Sequence, residues 1–99
     1  MYRKLEMNVI KWASNKGIFD KGTPLAQAEK TLEEAQEIKD ALLSNDREEL
    51  IDALGDTLVT IIIQSEMNNL DLLDCLEAAY NVINKRTGKM IDGTFVKDK

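Results

Sequence analysis

Apolar residues recur every three to four positions along most of the chain, which is the spacing of one face of an α-helix. In the first half, this pattern predicts a helix from about Tyr2 to Lys16, which stops before Gly17. A second helix is predicted to begin at Thr23, whose hydroxyl can cap it, with proline at the first helical position. It runs to about Leu43, and the segment 18–22 before it breaks the pattern.

The second half predicts two further helices. Asn45, with Glu48 three residues later, resembles a capping box and indicates a third helix that runs to about Met67. Asp71 is placed to cap a fourth helix, which continues to about Arg86. Short links between long helices favour an all-α fold, an antiparallel four-helix bundle.

Three of the predicted helices carry a continuous apolar stripe that we expect to point inward. The stripes are Leu5, Val9, Trp12 and Ala13 in the first helix; Leu25, Ala28, Leu32, Ala35, Ile38 and Leu42 in the second; and Leu72, Leu73, Leu76, Ala79, Tyr80 and Ile83 in the fourth. Cys75 lies among the stripe of the fourth helix, so we expect it to be a buried, inert thiol.

Residues 1–99 are expected to form one domain, whose C-terminal tail from Lys89 onward is either a short hairpin around Gly93 or an irregular arm. The third helix is apolar nearly all round after Asp56, which is more apolar surface than one small bundle needs. The sequence therefore predicts that a homodimer or a homotetramer completes the bundle.

Composition excludes several classes of protein. The formal net charge of -5 argues against a nucleic-acid binder, which needs a basic face. The chain shows neither a signal peptide nor an apolar run that could span a membrane, so we expect a cytoplasmic protein without membrane contact. It contains no histidine, which excludes a Ser-His-Asp triad, His-ligated zinc and a Glu-x-x-His di-iron site. Any metal must be bound by oxygen.

Three carboxylates share one face of the third helix. At about 100° per residue, Glu49, Asp52 and Asp56 lie within roughly 60° of one another, and Val59 and Ile63 continue the same face. A face that is acidic and then apolar indicates an interior face with carboxylates at one end. Because like charges stacked in this way repel each other, a compensating cation is expected, with Mg²⁺ as the natural candidate and Mn²⁺ as the alternative.

The second helix has a similar ridge. Gln27, Lys30, Glu34 and Glu37 step by three or four residues and lie beside the apolar stripe, while Glu33 points further toward solvent. The alternative interpretation is that Lys30 and Glu34 form an ordinary surface pair and that the other acids only keep the helix soluble. Two such ridges on successive helices favour a shared metal site.

These segments resemble the all-α MazG-like nucleotide pyrophosphohydrolases, whose pattern is Glu-Glu-x-x-Glu on one helix and Glu-x-x-Asp on the next. The two motifs are EEAQE at 33–37 and EELID at 48–52. The helix entry at 23–37, the Gly-Asp segment at 50–63 and the run NKRTGKMIDGTFVK at 84–97 are also similar to that family, the last to its short phage-type branch. The resemblance spans most of the chain.

The resemblance implies hydrolysis of a nucleoside triphosphate to the monophosphate and pyrophosphate. Glu34, Glu37, Asp52 and Asp56 are then expected to hold Mg²⁺, and Glu37 to orient or deprotonate the water, with Glu34 as the second catalytic carboxylate. Ala53 stands where many relatives have glutamate. The second metal pair is therefore either Glu49 with Asp52 or Asp52 with Asp56.

Substrate contacts are expected from Gln27, Lys30, Asn81, Lys85 and Arg86. Lys30 is placed to contact phosphate. The basic cluster of Lys85, Arg86 and Lys89 either binds pyrophosphate or complements the dipole at the end of the fourth helix. A role for Asn81 and Lys85 at the site requires a second subunit.

Three alternatives stay open at this stage. The first two lie within the superfamily: a pyrophosphatase restricted to dCTP or dUTP, and a phosphoribosyl-ATP pyrophosphohydrolase. The third is a non-enzymatic helical module for oligomerisation or regulation.

Trp12 is expected in the core or at an interface, with stacking on a base as the alternative.

Overall fold

The computed structural model describes all 99 residues, of which 72% are helical. Five helices are followed by one two-stranded hairpin: α1 Tyr2–Asn15, α2 Ile18–Lys21, α3 Pro24–Leu43, α4 Arg47–Met67, α5 Leu72–Ile83, β1 Gly88–Ile91 and β2 Thr94–Lys97. The mainly helical fold is thus as expected, and the open question of the tail is resolved as a hairpin.

Capping side chains set two of the helix starts as the sequence predicts. Thr23 Oγ1 accepts a hydrogen bond from the backbone N–H of Ala26 at 3.2 Å, and proline follows at the first position of α3. Asp71 Oδ1 accepts from the N–H of Leu73 at 2.9 Å and caps α5. In each case the side chain satisfies an N–H that has no partner inside the helix.

Two local predictions are wrong. The segment 18–22 contains the short helix α2, which begins after Gly17 in the left-handed conformation. The cap of α4 is Asp46, whose Oδ1 accepts from the N–H of Glu49 at 3.1 Å, and not Asn45. Asn45 instead takes the positive φ of 54° that turns the chain between α3 and α4. In addition, α5 ends at Ile83, one turn earlier than predicted.

The C-terminal hairpin is closed by Asp92 and Gly93, which both have positive φ. An Asp-Gly pair in this conformation is a favoured two-residue connection because its twist matches that of the paired strands. The strands pair in antiparallel register, with Met90 opposite Phe95. All residues of both strands are exposed.

The main packing is between α3 and α4, which run antiparallel. Gln64 Nε2 at the end of α4 donates to the carbonyl of Pro24 at the start of α3, at 2.9 Å. The face of α3 toward α4 carries its buried or half-buried residues: Gln27, Thr31, Glu34, Ile38 and Ala41. None of the five helices combines the length and the apolar character that a membrane span requires.

The predicted inward stripes are therefore only partly inward. Apart from Ile38, the apolar stripe of α3 is exposed in the single chain, whereas Gln27 and Glu34 of the ridge predicted beside it are half-buried on the side toward α4. In α5, Leu72 and Leu73 are half-buried, but the rest of the stripe is exposed, and so is Cys75, which is not a core thiol. The core is small, with fully inaccessible Ala13 and Ala53 at its centre.

Candidate active site

The antiparallel pair α3 and α4 places polar side chains between two helices. Gln27 Nε2 donates to the backbone carbonyl of Thr60 at 3.1 Å and fixes the register of the pair. Gln27 was expected to contact substrate, but its amide nitrogen is already committed to α4. Thr60 is buried, and its own hydroxyl donates to the carbonyl of Thr57 at 2.6 Å.

A cavity of about 300 Å³ opens beside this contact, and we call it the acidic cavity. Four of the predicted site residues line it, namely Gln27, Lys30, Glu34 and Asp56. Val59 and Ile63 of α4 form its apolar floor, as their place on the acidic-then-apolar face predicts. α1 and α2 supply the other wall through Trp12 and Ile18.

Two acidic side chains of α3, Glu33 and Glu34, form ion pairs with Lys30, and Glu34 is the more enclosed of the two. Its side chain is 13% exposed, and its Oε1 lies 3.2 Å from Lys30 Nζ. Glu33, one residue earlier, is 71% exposed and lies 3.5 Å from the same nitrogen. This difference confirms the predicted phase of the helix only in that Glu33 points further toward solvent than Glu34.

The carboxylates of Glu34 and Glu37 influence each other strongly. The pKa of Glu37 is raised by its hydrogen bond with Glu34 and by repulsion from the charge of Glu34, then by desolvation and by Glu49. The pKa of Glu34 is lowered by that same hydrogen bond and by Lys30. The pKa of Lys30 is raised, chiefly by Glu34, so its ammonium carries a full charge at neutral pH. Negative charge from α3 and α4 therefore converges around Glu37.

The donor set fits a hard divalent cation. All candidate ligands are carboxylate oxygens, and the mutual repulsion at Glu34 and Glu37 is the electrostatic situation that a cation relieves. The fit is not complete, because no three acidic side chains lie close enough together to form a ready-made metal cluster. Binding would have to draw further carboxylates toward Glu34.

The remaining predicted residues are less enclosed. Glu49 and Asp52 are exposed on the first turns of α4, and Asp56 is exposed at the edge of the acidic cavity. Asn81 lies near the end of α5, and Lys85 and Arg86 lie in the turn after it; all three are exposed, and none lines the acidic cavity. A single chain does not bring them to the site.

Helix α1 also contributes to the acidic cavity. Trp12 was expected in the core or at an interface; it is 50% exposed, which excludes the core of the single chain, and it lines the acidic cavity. Asn8, one helical turn earlier, lines an adjoining cavity with Trp12 and Asp56. Their spacing of four residues shows that they share a face of α1, but nothing in the sequence shows that this face looks toward Asp56.

The fold and cavity define a helical protein with a carboxylate-lined site between two antiparallel helices. The sequence matches the family described as the MazG nucleotide pyrophosphohydrolase domain over residues 22–91, and the chain belongs to this family. The match begins before α3 and ends with β1, so it includes every carboxylate considered for the site. The enzyme class that it indicates is nucleotide pyrophosphohydrolase.

A similar protein occurs in a bacteriophage. An uncharacterized 18.2 kDa protein from the rep-hol intergenic region of Haemophilus phage HP1 (strain HP1c1) is 28% identical over 69 residues. The matched region covers 70% of this chain and 42% of the phage protein, so the chain spans less than half the length of that relative. No solved structure matches the chain.

Proposed function

We propose that the chain is a Mg²⁺-dependent enzyme that hydrolyses nucleoside triphosphates to the monophosphate and pyrophosphate. One observation carries the proposal: Glu34 of α3 and Asp56 of α4 line the same cavity, in a chain that belongs to the MazG family. Lys30 on the same wall supplies a positive charge for phosphate. The cavity thus combines oxygen ligands for a metal with a phosphate contact.

Glu34 and Asp56, which line the acidic cavity, are the proposed metal ligands that the geometry supports best, and Glu37 with Asp52 or Glu49 is proposed to complete the set. We favour Glu49 as a ligand, over a role in solubility alone, because its charge raises the pKa of Glu37. When bound, Mg²⁺ would neutralise phosphate charge and lower the pKa of a bound water. Mn²⁺ would suit the same oxygen ligands.

The protein's own groups then divide the remaining work. Glu37, one helical turn from Glu34, is proposed to orient and deprotonate the attacking water. The Nζ atom of Lys30 lies 3.2 Å from Oε1 of Glu34, so the two side chains form an ion pair. A cation at Glu34 would compete for that carboxylate and leave the ammonium of Lys30 to a phosphate oxygen.

We also propose that the functional unit is a homodimer or a homotetramer with a helical bundle completed between subunits. An apolar stripe runs along the outer face of α4 through Ile51, Leu54, Leu58 and Ile61, all between 37% and 60% exposed. The exposed stripes of α3 and α5 add to it. In such an assembly Asn81, Lys85 and Arg86 would contact substrate from a neighbouring subunit.

The test is pyrophosphate release from a panel of ribo- and deoxyribonucleoside triphosphates, with Mg²⁺ and with EDTA. We expect release that requires Mg²⁺ and a melting temperature that rises with Mg²⁺, because a ligand of the folded state stabilises it by mass action. The panel includes dCTP, dUTP and phosphoribosyl-ATP, so that an enzyme restricted to one of them is recognised.

Two results would overturn the proposal in different ways. Turnover that is equally fast in EDTA would remove the metal from the mechanism. No release from any compound, together with a melting temperature that does not respond to Mg²⁺, would leave a non-enzymatic helical module.

A further inference from the structure

A second cavity of about 360 Å³ adjoins the acidic cavity, and we call it the side cavity. Three residues line both cavities, namely Trp12, Asp56 and Val59. The side cavity is completed by Leu5, Asn8 and Val9 of α1. A molecule whose charged end occupies the acidic cavity can therefore extend past Trp12 into the side cavity.

The wall of the side cavity suits a flat heterocycle better than a sugar or a phosphate. Four of its six lining residues are apolar, and Trp12, which is 50% exposed, is an aromatic side chain on which a flat ring can stack. The Asp56 carboxylate is shared with the acidic cavity. The amide of Asn8 is thus the one polar side chain that belongs to the side cavity alone.

We propose that Asn8 determines base specificity by hydrogen bonding to the edge of a nucleobase that stacks on Trp12. This inference rests on the proposed function, since it assigns the base of the same nucleotide. The amide offers a carbonyl acceptor beside an N–H donor, which matches the paired donor and acceptor on the edge of a base. Asn8 is exposed in the single chain, so the amide is accessible to a ligand.

The Asn8 amide is expected to bind some bases more tightly than others, because the donor and the acceptor on the edge of each base lie in different positions. A good two-bond pairing discriminates between bases by about tenfold to a hundredfold. Asn8→Ala is therefore expected to narrow the spread of affinities among bases. Asn8→Asp, which offers only acceptors, is expected to shift the preference toward guanine, whose N1–H and exocyclic amine donate side by side.

Trp12 provides a direct readout, because it is the single tryptophan of the chain. The experiment titrates wild type, Asn8→Ala, Asn8→Asp and the control Asn15→Ala with AMP, CMP, GMP and UMP in Mg²⁺, and follows tryptophan fluorescence. Asn15 lies on the same helix, is exposed and lines neither cavity. Pyrophosphate release from the matching triphosphates is measured in parallel.

The expected result is quenching by nucleotides, with dissociation constants that differ among bases by about tenfold or more in wild type and in Asn15→Ala. In Asn8→Ala the spread should shrink, with an unchanged melting temperature. An unchanged spread in Asn8→Ala, equal affinity of wild type for all bases, or no quenching at all would each overturn the inference. Base-selective quenching without pyrophosphate release would refute the proposed reaction and leave the assignment of Asn8 standing.

Discussion

Glu33 and Glu34 are identical in chemistry and adjacent in sequence, but they lie in different surroundings. The Glu34 side chain is enclosed between α3 and α4 at the acidic cavity, whereas Glu33 projects into solvent. Both approach the same lysine, so the pair with Lys30 alone does not separate them. The difference arises from the 100° turn between consecutive helical residues, and it makes the two residues a matched pair for testing the site.

We predict that Glu34→Gln lowers kcat for pyrophosphate release by about 100-fold or more, because it removes a charged ligand from the proposed metal site. It should also abolish the rise of melting temperature with Mg²⁺. Glu33→Gln should change neither measurement strongly. Wild-type turnover in Glu34→Gln would exclude that residue from the site, and equal damage in both variants would contradict the assigned phase of α3.

Among the candidate site residues, the sequence predicts best those whose position depends only on their own helix. Helical phase alone placed Glu34 toward the site and Glu33 away from it. Asn8 was not predicted as a candidate site residue, and Trp12 only as an alternative, because their placement depends on how α1 lies against α4. Gln27 was predicted to contact substrate, but the sequence does not show whether its amide bonds to a substrate or to the protein. In the structure it donates to the backbone carbonyl of Thr60.

Among the elements, α5 is held to the rest of the chain by few side chains. It has no buried residue, and Arg3 of α1 forms the one ion pair that joins two helices. Its Nη2 lies 2.6 Å from Asp71 Oδ2, while Nη1 lies 2.9 Å from Glu6 Oε1. Glu6 is buried, and its second oxygen has no hydrogen-bond partner, so Arg3 also compensates a carboxylate that is removed from water.

The contact between Arg3 and Asp71 predicts a pH dependence of stability. The hydrogen bond from Arg3 lowers the pKa of Asp71 below its ordinary 3.8, so the contact stabilises the fold above that pH and is lost as the pH falls through the lowered value. Asp71→Asn keeps a good cap but removes the charge. Its deficit in melting temperature should be constant near neutral pH and shrink under acid conditions. A deficit that is the same at low pH would show that the charge contributes nothing.

Helix starts were predictable because a capping residue acts locally, as Thr23 and Asp71 do. Asn45 and Asp46 are both good caps, and the choice between them depends on which one takes the left-handed turn. The inward faces were less predictable. On α3 a polar face with Gln27 and Glu34 lies toward α4, because the two helices enclose the acidic cavity there and not only apolar side chains.

For the whole molecule, the accessible surface is larger than a chain of this mass should have. A compact monomer of 11.2 kDa is expected to expose about 5,700 Å², whereas the chain exposes 7949 Å². The excess of roughly 2,200 Å² is within the range that one subunit buries in an obligate dimer. The radius of gyration of 15.8 Å also exceeds the approximately 12.6 Å of a compact chain of this length.

We predict that wild type sediments as a dimer or a tetramer and that Leu54→Glu produces a monomer with a lower melting temperature. Leu54 lies within the outer stripe of α4 and is 52% exposed in the single chain, so a charge there is tolerated by the monomer but not by an apolar interface. Leu43→Glu introduces the same charge at the end of α3, at a side chain that is 75% exposed and lies outside the apolar stripe of that helix, and it should leave the mass unchanged. Sedimentation velocity measures all three proteins. A monomeric wild type would remove the second subunit from the proposed enzyme, and with it any role of Asn81, Lys85 and Arg86 at the site.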